Sequence, residues 1–272
     1  MATAAARADL EALLRTRKLD RTILAPPTAP GAEGIPLGIP GLDATLGGLP
    51  RGELSEITGP RSSGRGSLVQ SALATLTAQG GVAALIDPLD MFDPPSAAES
   101  GLVLDRLLWV RGEALSAGRA DVLLERGLKG LNLVLQAGGF DLVVFDLAEA
   151  PHEAIRRLPF TTWFRLQRAI EGGRTACVLT GRGPIARSAG GVSIQLTRDG
   201  GGRRACHADA RTPRGGSEGR GAEGGGAGLV WAGAGTNPRL FAGLQVEARV
   251  VRARDPQPVR VPVRLATRDS DS

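Results

Sequence analysis

An α/β fold with a mainly parallel sheet is predicted by three features of the sequence. Short apolar runs alternate with helix-patterned segments from Glu53 to Leu196, the arrangement that covers both faces of a parallel sheet. The stretch Glu56-Ile57-Thr58-Gly59-Pro60-Arg61-Ser62-Ser63-Gly64-Arg65-Gly66-Ser67 reads as strand, glycine-punctuated loop and helix. Further on, Asp141-Leu142-Val143-Val144-Phe145-Asp146 holds only apolar residues between its two carboxylates, the pattern of a buried strand.

The elements follow in order. Ala2 to Arg21 predicts a helix, with Ala6, Leu10, Leu13 and Leu14 on one stripe and Arg7, Glu11, Arg15 and Lys18 off it. A narrow apolar stripe has to dock, either on the chain's own core or on a partner. Ala25 to Pro36 is a proline-rich linker, extended in character. Ser67 to Gln79 is a helix with Val69, Ala72, Leu73 and Leu76 inward, stopped at Gly80-Gly81. Val82 to Asp87 is a buried strand and Leu107 to Val110 a shorter one. Leu124, Leu128, Leu131 and Leu135 give the stripe of a helix from Asp121 to Gln136. Pro151 to Pro159 is a short connection, and Phe160 to Glu171 a helix burying Trp163, Leu166 and Ile170. Thr175 to Thr180 and Val192 to Leu196 are the next strands.

Asp199 to Gly228 is rich in Gly and Arg and too poor in apolar residues to offset ordering, so it reads as a disordered insert. Its arginines offer either loose contacts to nucleic acid or an ordinary loop. Leu229-Val230-Trp231 resumes order. Gln245 to Arg254 and Val259 to Leu265 then form a hairpin, whose second strand alternates Val259, Val261, Val263 and Leu265 with Arg260, Pro262 and Arg264. Pro262 cannot donate to a ladder, which predicts an edge strand. The chain divides into helix and linker (1–36), α/β core (37–198), insert (199–228) and C-terminal hairpin with a short tail (229–272).

The formal net charge is +5, and the cations are nearly all arginine, Lys18 and Lys129 being the lysines. A basic balance points to nucleic acid or another acidic partner; an arginine bias of genomic origin gives the same composition. Cys177 and Cys206 with His152 and His207 have no zinc-ligand spacing. No leader pattern opens the chain, and no apolar run approaches the ~18 residues of a membrane span. The expectation is a cytoplasmic protein without a membrane partner.

A phosphate-binding loop has the form Gly-x-x-x-x-Gly-Lys-Ser/Thr, in which amides cradle phosphates, the lysine neutralises them and the hydroxyl holds magnesium. Gly59 and Gly64 keep the spacing; Arg65 stands at the lysine and Gly66 at the hydroxyl. Ser67 comes one residue late, turned about 100° around the helix. Gly59, Pro60, Arg61, Ser62, Ser63, Gly64, Arg65, Gly66 and Ser67 are therefore the candidate phosphate site. No cofactor is certain; ATP with magnesium is the candidate. Asp146 sits where nucleotide hydrolases orient magnesium, and a strand-end carboxylate that caps its own turn is the other reading.

The run from Gly38 to Gly64, Gly-Ile-Pro-Gly-Leu-Asp-Ala-Thr-Leu-Gly-Gly-Leu-Pro-Arg-Gly-Glu-Leu-Ser-Glu-Ile-Thr-Gly-Pro-Arg-Ser-Ser-Gly, resembles the RecA recombinase core. The resemblance covers about Gly38 to Leu196. It implies a RecA-like core with a central, mainly parallel sheet flanked by helices, an N-terminal helical arm and a C-terminal β-hairpin. It also places the family's catalytic glutamate at Leu89, with Asp93-Pro94 still aligned, and its glutamine switch at Thr180-Gly181. Asp90, beside Leu89, would point elsewhere. Both DNA-binding loops of the family are short here. Arg165-Leu166-Gln167-Arg168-Ala169-Ile170-Glu171-Gly172-Gly173 resembles the ImuA branch.

That branch implies a non-catalytic accessory or scaffold protein of the bacterial DNA damage response, a degenerate ATPase working in translesion synthesis. RecA, an ImuB-type protein and a DnaE-type polymerase are its implied partners. The alternatives are an ATP-dependent DNA-binding RecA paralogue and a SulA-like inhibitor of cell division. Leu10, Leu13 and Leu14 are the partner-binding candidates. Arg252, Arg254, Arg260 and Arg264 are the candidates for nonspecific DNA binding, which weakens with salt.

Overall fold

A computed structural model describes residues 34–114, 119–186, 190–198, 229–232, 240–252 and 260–266. The expected N-terminal helix, with Leu10, Leu13 and Leu14, and the 199–228 insert lie outside the described residues. So does Arg254.

The first helix among the described residues is Pro40–Leu46 (α1), which the sequence reading passed over as part of a motif. Pro40 opens it, where a missing N–H costs nothing, and Gly47 closes it at φ 67°. Asp43 ties its entry down by accepting from the amides of Leu37 at 2.7 Å and Ile39 at 3.1 Å. Ile35, at the end of the expected linker, is fully buried and bridged to Leu49. The core therefore begins before the proline-rich stretch is over.

Six parallel strands follow: Leu54–Thr58 (β1), Ala83–Asp87 (β2), Leu107–Arg111 (β3), Leu142–Asp146 (β4), Ala176–Gly181 (β5) and Ser193–Arg198 (β6). They lie in the spatial order β3-β2-β4-β5-β1-β6. Helices Arg65–Ala78 (α2), Pro94–Glu99 (α3), Ala120–Ala137 (α4), His152–Arg157 (α5) and Phe160–Ile170 (α6) connect them. The segment expected as a bare connection, Pro151 to Pro159, thus contains a helix. Its prolines bracket α5 rather than break it, as Pro can stand at a helix N-terminus.

Strand residues alternate between two cores, as a pleated strand requires. Ile57, Val144, Ala176 and Val178 face the layer built by α1 and α2. Leu54, Val143, Phe145, Cys177 and Leu179 face the layer built by α4, α5 and α6. Burial of both faces is why these strands read as continuous apolar runs. It also pushes the Cys177 thiol up to about 12, so this cysteine is packing material.

Beyond β6 the sheet turns antiparallel, with Leu229–Ala232 (β7), Leu240–Arg252 (β8) and Arg260–Ala266 (β9). The expected hairpin is β8 with β9. As Pro262 predicts, β9 pairs with β8 alone among the described residues. Val261 and Val263 are buried and Pro262 is exposed. Val261 reaches Gly41 of α1, joining the hairpin to the start of the core. No helix among the described residues is long and apolar enough to cross a membrane.

Candidate nucleotide site

The loop sits at the C-terminal end of β1, a central strand flanked by β5 and β6. The carboxyl ends of parallel strands are where α/β sheets hold ligands. Two glycines shape it. A Cβ on Gly59 would lie 2.5 Å from both the Leu196 carbonyl and Ser63 Oγ, so no larger residue fits. Gly64 takes φ 87° as the residue before α2, a left-handed conformation open to glycine. Ser62 is held at φ 57°, a strained value for a serine. Ser63 is fully buried, and its Oγ has no hydrogen-bond partner among the described residues.

Arg65 is only 5% exposed, unusual for a guanidinium. Its Nη1 donates to the Ala148 carbonyl at 3.2 Å, and its Nη2 lies 3.5 Å from Glu149 Oε1. Burial lowers its pKa, while Glu149 and Asp146 pull in the other direction. Arg61 and Arg182 reach the same carboxylate, at 2.8 and 3.0 Å from Glu149 Oε2. Three guanidiniums thus converge on one carboxylate beside the loop.

A cavity of about 230 Å³ opens beside Arg65. Arg65, Gly66, Phe92, Asp93, Asp146 and Thr180 are among the residues lining it. Ser67, one residue on, lines a different groove with Gln70, Ser71 and Thr75. The late hydroxyl is therefore turned out of the site, as the helical period requires.

The two carboxylates read at strand ends are committed to their own surroundings. Asp146 Oδ1 accepts from Thr180 Oγ1 and, at 2.9 Å, from the Ala148 amide. Burial first, then the nearby Asp87 charge, raises its pKa, against the opposing pull of those two hydrogen bonds. Asp87 is buried and accepts from the amides of Met91 and Phe92 at 3.0 and 2.9 Å. Leu89, at the position of the expected glutamate, is 2% exposed in the α4-side core. Asp90 turns to Arg111 in a two-pronged pair at 2.7 and 2.9 Å. The residues present do not fit magnesium: Gly66 has no side-chain ligand atom, Asp146 Oδ1 is engaged by Thr180 and the Ala148 amide, and no group of three His, Cys, Asp or Glu suited to a metal occurs among the described residues.

Arg182, Glu149 and Asp93 were missed as site residues. Arg182 directly follows β5 and Glu149 lies just beyond β4, but only the strand order reveals that both abut the β1 loop. Asp93 carried a signal in its alignment and now stands on the cavity wall, where Ser96 Oγ donates to it. Glu56 had been read only as part of a motif. It is buried and accepts from the amides of Ile185, at 3.1 Å, and Ala186. This fastens the β5–β6 connection to the strand that carries the loop.

The DNA candidates are spread along the hairpin. Arg252 and Arg264 fall in β8 and β9; Arg260 is exposed and lies 3.3 Å from Glu247. A second basic face was not anticipated. On α6, Phe160 and Phe164 are both exposed and stack edge to face, with centroids 4.9 Å apart. Arg165 and Arg168 are exposed beside them.

Fold and loop together define an α/β protein with a glycine-shaped loop at the carboxyl end of a central parallel strand. Residues 28–155 match the RecA N-terminal domain family. Protein RecA of Frankia casuarinae is 35% identical over 125 residues, 45% of this chain and 34% of that protein. Protein RecA of an Arthrobacter species is 37% identical over 120 residues, 43% of this chain and 32% of that protein. For Protein RecA of Mycobacterium ulcerans the identity is 37% over 118 residues, with 43% and 32% covered. The chain spans about a third of the length of these relatives. Residues 28–155 are thus similar to the RecA N-terminal domain. The matches also correct the expectation that the chain is not an enzyme: the relatives carry the name RecA, an ATPase, which points to enzyme activity.

Proposed function

We propose that the protein is an ATP-dependent DNA-binding paralogue of RecA, with ATP held by the Gly59–Ser67 loop. The observation that carries this reading is the convergence of Arg61, Arg65 and Arg182 beside a glycine-shaped loop within the RecA-matched segment. Amides at a helix N-terminus favour an anion, and arginine forks match phosphate oxygens. In hydrolysis the same guanidiniums stabilise charge developing on the transferred phosphoryl group. Asp93 on the cavity wall is the carboxylate assigned to orient the attacking water.

DNA is assigned to the α6 face. Exposed aromatic rings beside arginines suit single strands, whose bases stack and whose phosphates pair. The two sites are joined through β1, whose Leu54 amide donates to Gln167 Oε1 of α6 at 2.8 Å and whose other end carries the loop. The test is the affinity for labelled oligo(dT) with and without ATP. The reading expects ATP to strengthen binding by about tenfold; equal affinities would refute it.

A narrower role, beside an ImuB-type protein and a DnaE-type polymerase in translesion synthesis, is supported by the Arg165–Gly173 run, whose arginines α6 exposes. In that role the segment Ala2 to Arg21 is proposed as the arm that docks on RecA. Leu10→Glu with Leu14→Glu would then abolish co-purification with RecA; unchanged co-purification would end the arm proposal.

A further inference from the structure

We propose that Glu149 is a built-in competitor for the phosphate chain: its carboxylate holds the guanidiniums that would hold ATP, and ATP binds by displacing it. The inference rests on the reading of the loop as an ATP site and concerns what sets the affinity of that site.

Glu149 Oε2 lies 2.8 Å from Arg61 Nη2 and 3.0 Å from Arg182 Nη2, and Oε1 lies 3.5 Å from Arg65 Nη2. These arginines come from the loop, from the segment after β5 and from the first turn of α2. Their charge is met by the protein's own carboxylates: Glu149 directly, Asp146 through its pull on Arg65, and Asp93 on the cavity wall. An anion entering here gains a guanidinium by exchange with a carboxylate rather than by filling a surplus of charge.

Glu149 is the carboxylate suited to that exchange. Asp146 is tied by Thr180 Oγ1 and the Ala148 amide, and Asp93 accepts from Ser96 Oγ. The polar contacts of the Glu149 side chain among the described residues run to the three arginines. Its backbone is fixed in the turn after β4, where the Ala150 amide donates to the Leu147 carbonyl at 3.1 Å. The side chain is 20% exposed, so a change of rotamer carries the carboxylate outward without moving the turn. Arg65 stays anchored meanwhile, because its Nη1 donates to the Ala148 carbonyl. The nitrogen released is the one that faces Glu149.

A carboxylate and a phosphate present the same kind of oxygen to a guanidinium fork. Both cannot stay, because like charges at such range repel, and more strongly where water is partly excluded. The form that binds ATP is the one with Glu149 turned out. The observed affinity is then the intrinsic one reduced by the fraction of molecules in that form, and charge-assisted contacts to three guanidiniums keep the fraction small. A strut that merely holds the arginines ready for ATP would make the same contacts, but its removal would weaken binding. The sign of the change therefore separates the two roles.

The test is titration of the full-length protein with ATP labelled on the ribose, comparing wild type with Glu149→Gln, which keeps the size of the side chain and removes its charge. The variant is expected to bind ATP about tenfold more tightly. Glu149→Asp, which keeps the charge on a shorter chain, is the second variant should Glu149→Gln fail to fold, and is expected to tighten binding by about threefold. Glu113→Gln, at an exposed acid paired with Arg119 and Arg126, is expected to leave affinity unchanged. Weaker or equal binding by the Glu149 variant that folds would overturn the inference and leave the ATP reading standing. An equal gain from Glu113→Gln would trace the effect to net charge and would overturn it in the same way. Saturation by neither wild type nor variant at millimolar ATP would overturn both.

Discussion

Thr180 Oγ1 donates a hydrogen bond to Asp146 Oδ1 across the paired ends of β5 and β4. The contact joins the floor of the cavity to the strand that leads on to Arg182. It also defines what Asp146 does at rest, which is to hold two strand ends and the turn at Ala148 together.

The first prediction follows from its raised pKa. A carboxyl that keeps its proton better in the folded state makes the native form bind more protons than the unfolded form. Stability must then fall as pH rises from the ordinary carboxylate range upward, and is unaffected below it. Asp146→Asn removes this penalty while keeping an oxygen for Thr180 and the Ala148 amide. Its melting temperature should match wild type in acid and exceed it at neutral pH. Equal melting temperatures across the whole range would rule the buried carboxyl out as a source of pH dependence.

Leu89 gives a second prediction. Restoring a carboxylate there should fail, because Leu89 is buried among the residues that pack on α4. Leu89→Glu is expected to cost about 3 kcal/mol or more, from lost packing and an unpaired buried acid, as read by urea denaturation. A variant as stable as wild type would mean that the side chain reaches the cavity after all.

These two positions mark how far the sequence could be read. The alternation of elements was legible because each strand is buried on both faces and each long helix carries a clear stripe. Boundaries such as Leu142–Asp146 and Phe160–Ile170 lie within a residue or so of expectation. The loop was legible from Gly59 and Gly64, whose backbone demands are local. Glu149 and Arg182 were not, because the site is assembled by strand order, and residues far apart in sequence meet only when β4, β5 and β1 lie side by side. The short helices α1, α3 and α5 were missed because prolines near their first turns resemble breakers.

Asp93 yields a third prediction. If it orients the attacking water, Asp93→Asn should lower the rate of phosphate release from ATP by about 10²-fold or more while ATP affinity stays close to wild type. A rate unchanged by the substitution would remove Asp93 from the reaction.

A fourth concerns the exposed phenylalanines, two of only six in the chain. Phe164→Ala should weaken binding of oligo(dT) by about tenfold, the usual worth of one stacked base. Binding of an abasic strand of equal length should not change. Equal losses on both strands would indicate that α6 senses charge alone.

The account turns on the loop being a working nucleotide site. Its most direct test is a calorimetric titration of the full-length protein with ATP, alongside Arg65→Met, which keeps most of the buried side-chain volume and removes the charge. Wild type should bind one ATP per chain and the variant about tenfold to a hundredfold more weakly, the range for a lost charged hydrogen bond. Heat that never saturates at millimolar ATP, or equal binding by Arg65→Met, would contradict the account.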